Sequence, residues 1–133
     1  MSPAQMMVAL IHWRIMPDEK SISDFLNYWK TNNTIGDRSG LIGEFLSDSL
    51  KMSDFPFITW HLDPESKGDH KSYVTMGIWR DTDAFKEQVA NYFNDDKPML
   101  WFEKYRRRRV VFGPTAWRIG ETPFPKGDSP GVF

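Results

Sequence analysis

The chain contains no cysteine. That excludes disulfides, thiolate nucleophiles and zinc–thiolate sites, and it suits a reducing compartment such as the cytoplasm. Histidine is almost as scarce, at three residues in 133. Long apolar runs are missing too: the stretch from Met6 to Ile11 is too short to span a bilayer. No basic segment precedes it, so neither a signal peptide nor a membrane anchor is expected, and the glycosylation triplet at Asn32 is expected to carry no glycan. The charge has no dominant sign. A formal net charge of −1 gives no general attraction to nucleic acid or anionic lipid, and neither is expected as a partner. No phosphate loop, nucleophile elbow or dinucleotide fingerprint occurs.

Aromatic side chains are abundant. Ten Phe, six Trp and four Tyr make up 15% of the chain, so large flat groups must line a core, a cavity or an interface. At this length folding removes roughly two thirds of the extended chain's surface from water, so one domain can build a core without staples. MMVALIHWRIM is rich in branched and aromatic residues and closes at Pro17, which predicts a first strand. DEKSISDFLNYWKTNN opens with acidic residues and sets Ile22, Phe25, Leu26 and Trp29 at helical spacing, stopping near Asn32, Asn33 and Gly36. GLIGEFLSDSL resumes a strand. FPFITWHLD and SYVTMGIWR both read as strands, with a polar turn containing Gly68 between them, and so predict a hairpin. DTDAFKEQVANYF predicts a second helix capped by Asp81, Thr82 or Asp83, with Phe85, Val89, Tyr92 and Phe93 on its apolar stripe.

NDDKPMLWFEKY has room for a short helical turn. RRRRVVFGPTAWRIG then predicts a last strand, with Gly113 and Pro114 implying a bulge or an edge position. These elements make one α+β domain over residues 1–119. Residues 120–133 form a Pro- and Gly-rich tail that either drapes over a neighbour, through Phe124, Val132 and Phe133, or is loose.

The order strand, helix, strand, strand, helix, strand predicts the ferredoxin-like βαββαβ plan, an antiparallel sheet with both helices on one face. In the first strand Met7, Ala9, Ile11, Trp13 and Ile15 alternate with Val8, Leu10, His12 and Arg14. Both faces therefore carry apolar surface, and one chain has too few helices to cover both. A homodimer that packs two sheets face to face into a closed or nearly closed barrel is the expected solution.

YVTMGIWRDTDAFKEQV resembles the third strand and second helix of the antibiotic-biosynthesis-monooxygenase-like dimeric α+β barrels, and GLIGEF resembles their Gly-initiated second strand. The resemblance covers about three quarters of the chain in order of elements. It implies a cavity that holds a flat hydrophobic or aromatic small molecule, a reaction with O2 that needs no cofactor, and a dimer. The segment from Lys51 to Lys71 is longer than the hairpin of small members, and the arginine-rich strand with its tail is additional. Haem-degrading relatives pair the strand Trp with a His on the following helix; DTDAFKEQVANYF has none, which disfavours that activity.

If Trp13 faces the helices, His12 and Arg14 face the cavity beside Val8 and Leu10. A neutral His can take a proton from an acidic carbon or phenol, and an Arg can stabilise the oxyanion that results, so these two are the candidate catalytic residues. A satisfied interface His and a rim ion pair are the plainer roles. Along SYVTMGIW, the set Val74, Met76 and Ile78 is the more uniformly apolar and is expected to face the helices. Tyr73, Thr75 and Trp79 are then left as candidate substrate-binding residues, with core packing as the alternative for Trp79. His61 and His70 flank a turn without further ligands at metal spacing, so no metal is expected. Arg106 to Arg109 alternate across a strand. Pairing with acids such as Asp95, Asp96 and Glu103, or with a partner subunit, competes with binding a ligand carboxylate or phosphate. A noncatalytic ligand-binding or interaction domain stands as the alternative to an enzyme.

Overall fold

A computed structural model describes residues 6–32, 35–48, 52–54, 56–57, 69–92 and 96–120. The main elements are β1 (Met7–Ile15), α1 (Glu19–Thr31), β2 (Leu41–Ser47), β3 (Lys71–Trp79), α2 (Thr82–Gln88) and β4 (Glu103–Phe112). They form one four-stranded sheet in the order β2-β3-β1-β4, with every neighbouring pair antiparallel. Order and direction are compatible with a ferredoxin-like fold, in which each helix carries the chain past an inserted strand. Among the described residues the sheet is open, with β2 and β4 as its edges. No helix among them is long and apolar enough to cross a membrane.

Both helices start where a carboxylate can satisfy free backbone N–H groups. Asp18 accepts from the Ser21 N–H at 2.8 Å at the head of α1, and Asp81 accepts from the Ala84 N–H at 2.8 Å at the head of α2. α2 is shorter than the sequence predicts: it ends at Gln88 and passes into a 3-10 turn over Ala90–Tyr92. The α1 end is closed by the Asn32 N–H donating to the Tyr28 carbonyl at 2.8 Å.

The odd residues of β1 and β3 face the helices. Trp13, Ile15, Tyr73 and Phe102 pack around the fully buried Phe25 of α1, with Ile22 and Leu26 at the margin. A second cluster joins Met7, Leu41 and Trp79 to Phe85 of α2. Since α1 and α2 both pack on odd-numbered β1 residues, they share one face of the sheet, as expected. Among the described residues no helix covers the opposite face, and this helix-free face carries the even residues of β1 and β3.

This reverses the expectation for β3. Val74, Met76 and Ile78 face away from the helices, and the buried helix-facing set is Tyr73, Thr75, Gly77 and Trp79. The cause is size and hydrogen bonding rather than uniform apolarity. Trp79 needs a deep layer, and Gly77 leaves it room, since a Cβ there would stand 3.3 Å from the Trp79 indole nitrogen. Thr75 supplies the acceptor for two indoles, one buried and one half-buried: Trp13 and Trp29 donate to its hydroxyl at 2.8 and 2.9 Å.

The expected hairpin partner of β3 falls largely outside the described residues. Pro56 and Phe57, at its start, form a turn, and over the described residues β3 is flanked by β1 and β2. β4 begins earlier than predicted, at Glu103, and stops at Phe112 before Gly113 and Pro114. It is an edge strand, as those residues imply, but its irregular pairing with β1 lies between Glu103 and Arg108, with register shifts on both sides of Tyr105. The expected helical turn is a turn at Trp101 and Phe102. The tail after residue 120 lies outside the described residues.

Candidate functional site

The strand register assembles a polar cluster at one end of the helix-free face. His12 lies opposite Val74 on β3 and Arg108 on β4, while Arg14 lies between Ser72 and Tyr105. His12 and Arg14 are half-buried, on the face that the alternation of β1 assigns to them. The His12 Nε2 and the Ser72 hydroxyl are hydrogen-bonded at 2.9 Å. The Arg14 guanidinium is held twice. Its Nη2 donates to the Arg106 carbonyl at 2.6 Å, and its plane lies over the Tyr105 ring with the carbon 5.0 Å from the centroid.

Behind this pair stands a second set. Asp69 accepts hydrogen bonds from the Tyr105 hydroxyl and from the His70 ring, whose Nδ1 is 2.8 Å away. These two donors, Tyr105 first, hold the Asp69 carboxyl below the ordinary carboxylate range. The His70 side chain is only 3% exposed and meets the Tyr105 ring edge-on at 5.6 Å. The lower end of the face is aliphatic: Val8, Leu10, Val74, Met76 and Ile78 lie there, with Phe45, Val110 and Phe112 exposed around them.

The five residues expected to form the site fall on opposite faces. His12 and Arg14 share the helix-free face, whereas Tyr73, Thr75 and Trp79 are buried beneath the helices at 8%, 4% and 1% exposure. The sheet lies between the two groups, so the second three are core residues and do not line a cavity with His12. Ser72 and Tyr105 take their place beside Arg14. Ser72 could be found from the sequence by pairing β1 with β3 through their alternation, but Tyr105 could not, because the irregular stretch of β4 shifts its register.

The arginine run is divided by this irregularity. Arg106 donates to the Lys97 carbonyl at 2.9 Å, and Arg107 pairs with the buried Glu103 at 2.5 Å while lying 4.3 Å over the Trp13 ring. The Glu103 pairing was among those expected. Arg108 sits on the helix-free face beside His12, and Arg109 is half-buried opposite Ile11, where burial pulls its guanidinium below the usual range. Among the described residues no three His, Asp or Glu side chains gather as metal ligands, and His61 lies outside them.

Chemically, the cluster offers a base, a fixed cation and a hydroxyl on one sheet face, next to a hydrophobic strip. No family model and no curated protein matches the chain.

Proposed function

We propose that the helix-free face is the working surface of a homodimeric α+β barrel that holds a flat, hydrophobic small molecule and acts as a cofactor-independent monooxygenase. The observation that carries the reading is the position of His12 and Arg14, half-buried together at the polar end of a face whose other end is apolar. A ring system would lie on Leu10, Val74 and Met76, with its ionisable hydroxyl or acidic carbon toward the polar end. His12 removes the proton, and Arg14 stabilises the negative charge left on the substrate. Clamped by Arg106 and Tyr105, Arg14 is positioned in advance, so little reorganisation is needed when that charge develops. O2 then takes electrons from the carbanion and forms a C–O bond, and the resulting peroxide anion takes the proton back from His12. Loss of water, with the remaining C–H proton, leaves one oxygen atom on the substrate as a carbonyl, the substrate itself being the only reductant. The cytoplasm suits a cysteine-free chain with this activity.

Dimer formation is supported by the exposed apolar side chains of the same face. Phe45 on edge strand β2 and Val110 and Phe112 on the opposite edge strand β4 are 46%, 45% and 52% exposed, and the half-buried Met76 and Leu10 lie in the row between Phe45 and Val110, where a lone chain would be expected to carry polar groups. The resemblance of the β3–α2 segment to dimeric barrels points the same way.

Oxygen uptake with anthrone-like and quinol substrates tests the activity directly. His12→Ala is expected to lower the rate about a hundredfold, the ordinary contribution of a general base. Equal rates in the two proteins would remove His12 from the mechanism. The second reading, a noncatalytic ligand-binding or interaction domain, draws on the bond that already engages His12 with Ser72. Binding of the aromatic compound without oxygen uptake would favour it.

A further inference from the structure

The His12 ring shares a hydrogen bond with a hydroxyl of this chain. Ser72 Oγ lies 2.9 Å from His12 Nε2, within the range of a nucleophile poised against its general base. Arg14 is the residue directly across the strands from Ser72. Its guanidinium is fixed by the Arg106 carbonyl and the Tyr105 ring, and among the described residues its buried Nε has no hydrogen-bond partner. Val74 and Met76 continue β3 from Ser72 along the same face, and Leu10 lies opposite Met76. A hydroxyl, a base, a fixed cation and an aliphatic track therefore follow one another over a few residues of two adjacent strands.

We propose that Ser72 is the nucleophile of an acyl-transfer site, with His12 as its base, Arg14 as the stabiliser of the tetrahedral oxyanion, and a hydrophobic ester as the class of substrate. The Ser72 oxygen attacks the ester carbonyl while His12 Nε2 takes its proton. The new O–C bond forms as the carbonyl π electrons move onto oxygen, where the charge faces Arg14. Collapse breaks the bond to the leaving alcohol, which takes the proton back from His12. Water, activated by the same ring, then releases the acid and restores Ser72. The aliphatic track would receive the acyl chain, so esters of medium-chain acids should react faster than acetate esters. This goes beyond the oxygenase reading: it uses the same base, cation and aliphatic surface, but adds a nucleophile and needs no oxygen.

The test is covalent labelling of the full-length protein with an alkyl fluorophosphonate, read by intact mass. One adduct is expected on the native protein, none on Ser72→Ala, and labelling about a hundredfold slower on His12→Ala. Ser23→Ala, at an exposed position of α1, should label as the native protein does. An unlabelled native protein, or an adduct that persists in Ser72→Ala, would overturn the assignment. A second variant guards against a structural effect of alanine. Because the chain has no cysteine, Ser72→Cys introduces a single thiol. At pH 6.5 it should react with iodoacetamide about tenfold faster with His12 present than in the His12→Ala background, because an imidazole at this distance favours the thiolate. Equal rates would show that His12 does not act as a base toward position 72. Failure here with oxygen uptake intact would leave the monooxygenase reading standing, and the reverse result would leave this site standing.

Discussion

A single hydroxyl connects two of the six tryptophans to the core of the sheet. Thr75→Val keeps the shape of the side chain but leaves two indole N–H groups without an acceptor, and should cost about 2–4 kcal/mol in denaturant unfolding. Thr75→Ser retains the oxygen and should cost about 1 kcal/mol, the value of one buried methyl. If the two variants were equally destabilised, packing rather than hydrogen bonding would explain the site. Glu44, on β2, shows the opposite case of a polar group at odds with its surroundings. Burial raises its carboxyl pKa, and the charge of Arg38 offsets only part of the rise. A raised carboxylate favours the folded state below the ordinary range and loses that advantage as pH rises through the folded value. Glu44→Gln should therefore be more stable than the native protein at pH 7, by less than about 1 kcal/mol because the group is partly solvated, and the difference should vanish near pH 4. Asp18 has the reverse sign: hydrogen bonds from Ser21 lower its pKa, so its stabilisation is present at neutral pH and is lost as pH falls through the lowered folded value.

At the scale of elements, the turn that leads into β2 lies tight against α2 at Gly40. A Cβ on Gly40 would stand 2.3 Å from the Ala84 Cβ, so Gly40→Ala must push the helix off the sheet. A loss of about 1–3 kcal/mol is expected by thermal or denaturant unfolding. The double variant with Ala84→Gly should be less unstable than the sum of the two single ones, and strict additivity would refute the contact. The strands, the helices and their order could be read from hydrophobic period and capping residues, which act within a few positions of one another. The face of β3 could not. Three aliphatic residues in alternation look like a core stripe, yet the position of the core is decided by where Trp79 and Tyr73 find depth and where Trp13 and Trp29 find an acceptor. The two hydrogen bonds to Thr75 join residues 62 and 46 positions apart. For the same reason His12 and Arg14 could be assigned to one face from β1 alone, while Ser72 needed the register of a second strand and Tyr105 the irregular register of a third.

Over the whole molecule, the sheet divides two environments. One face carries the aromatic core and the helices that seal it. The other combines a polar end, built around His12 and Arg14, with an apolar remainder that includes exposed Phe45, Val110 and Phe112. Association of two such faces would bury that surface and close a cavity over the polar end, so the proposed dimer and the proposed chemistry would share one physical origin. Phe112→Asp should break the association without unfolding the chain, since the side chain lies on an edge strand outside both core clusters. The most direct measurement is sedimentation velocity of the native protein at micromolar concentration. A species of about twice the 15.6 kDa chain mass, converted to single chains by Phe112→Asp, is expected. A native protein that sediments as one chain across that range would contradict the shared barrel.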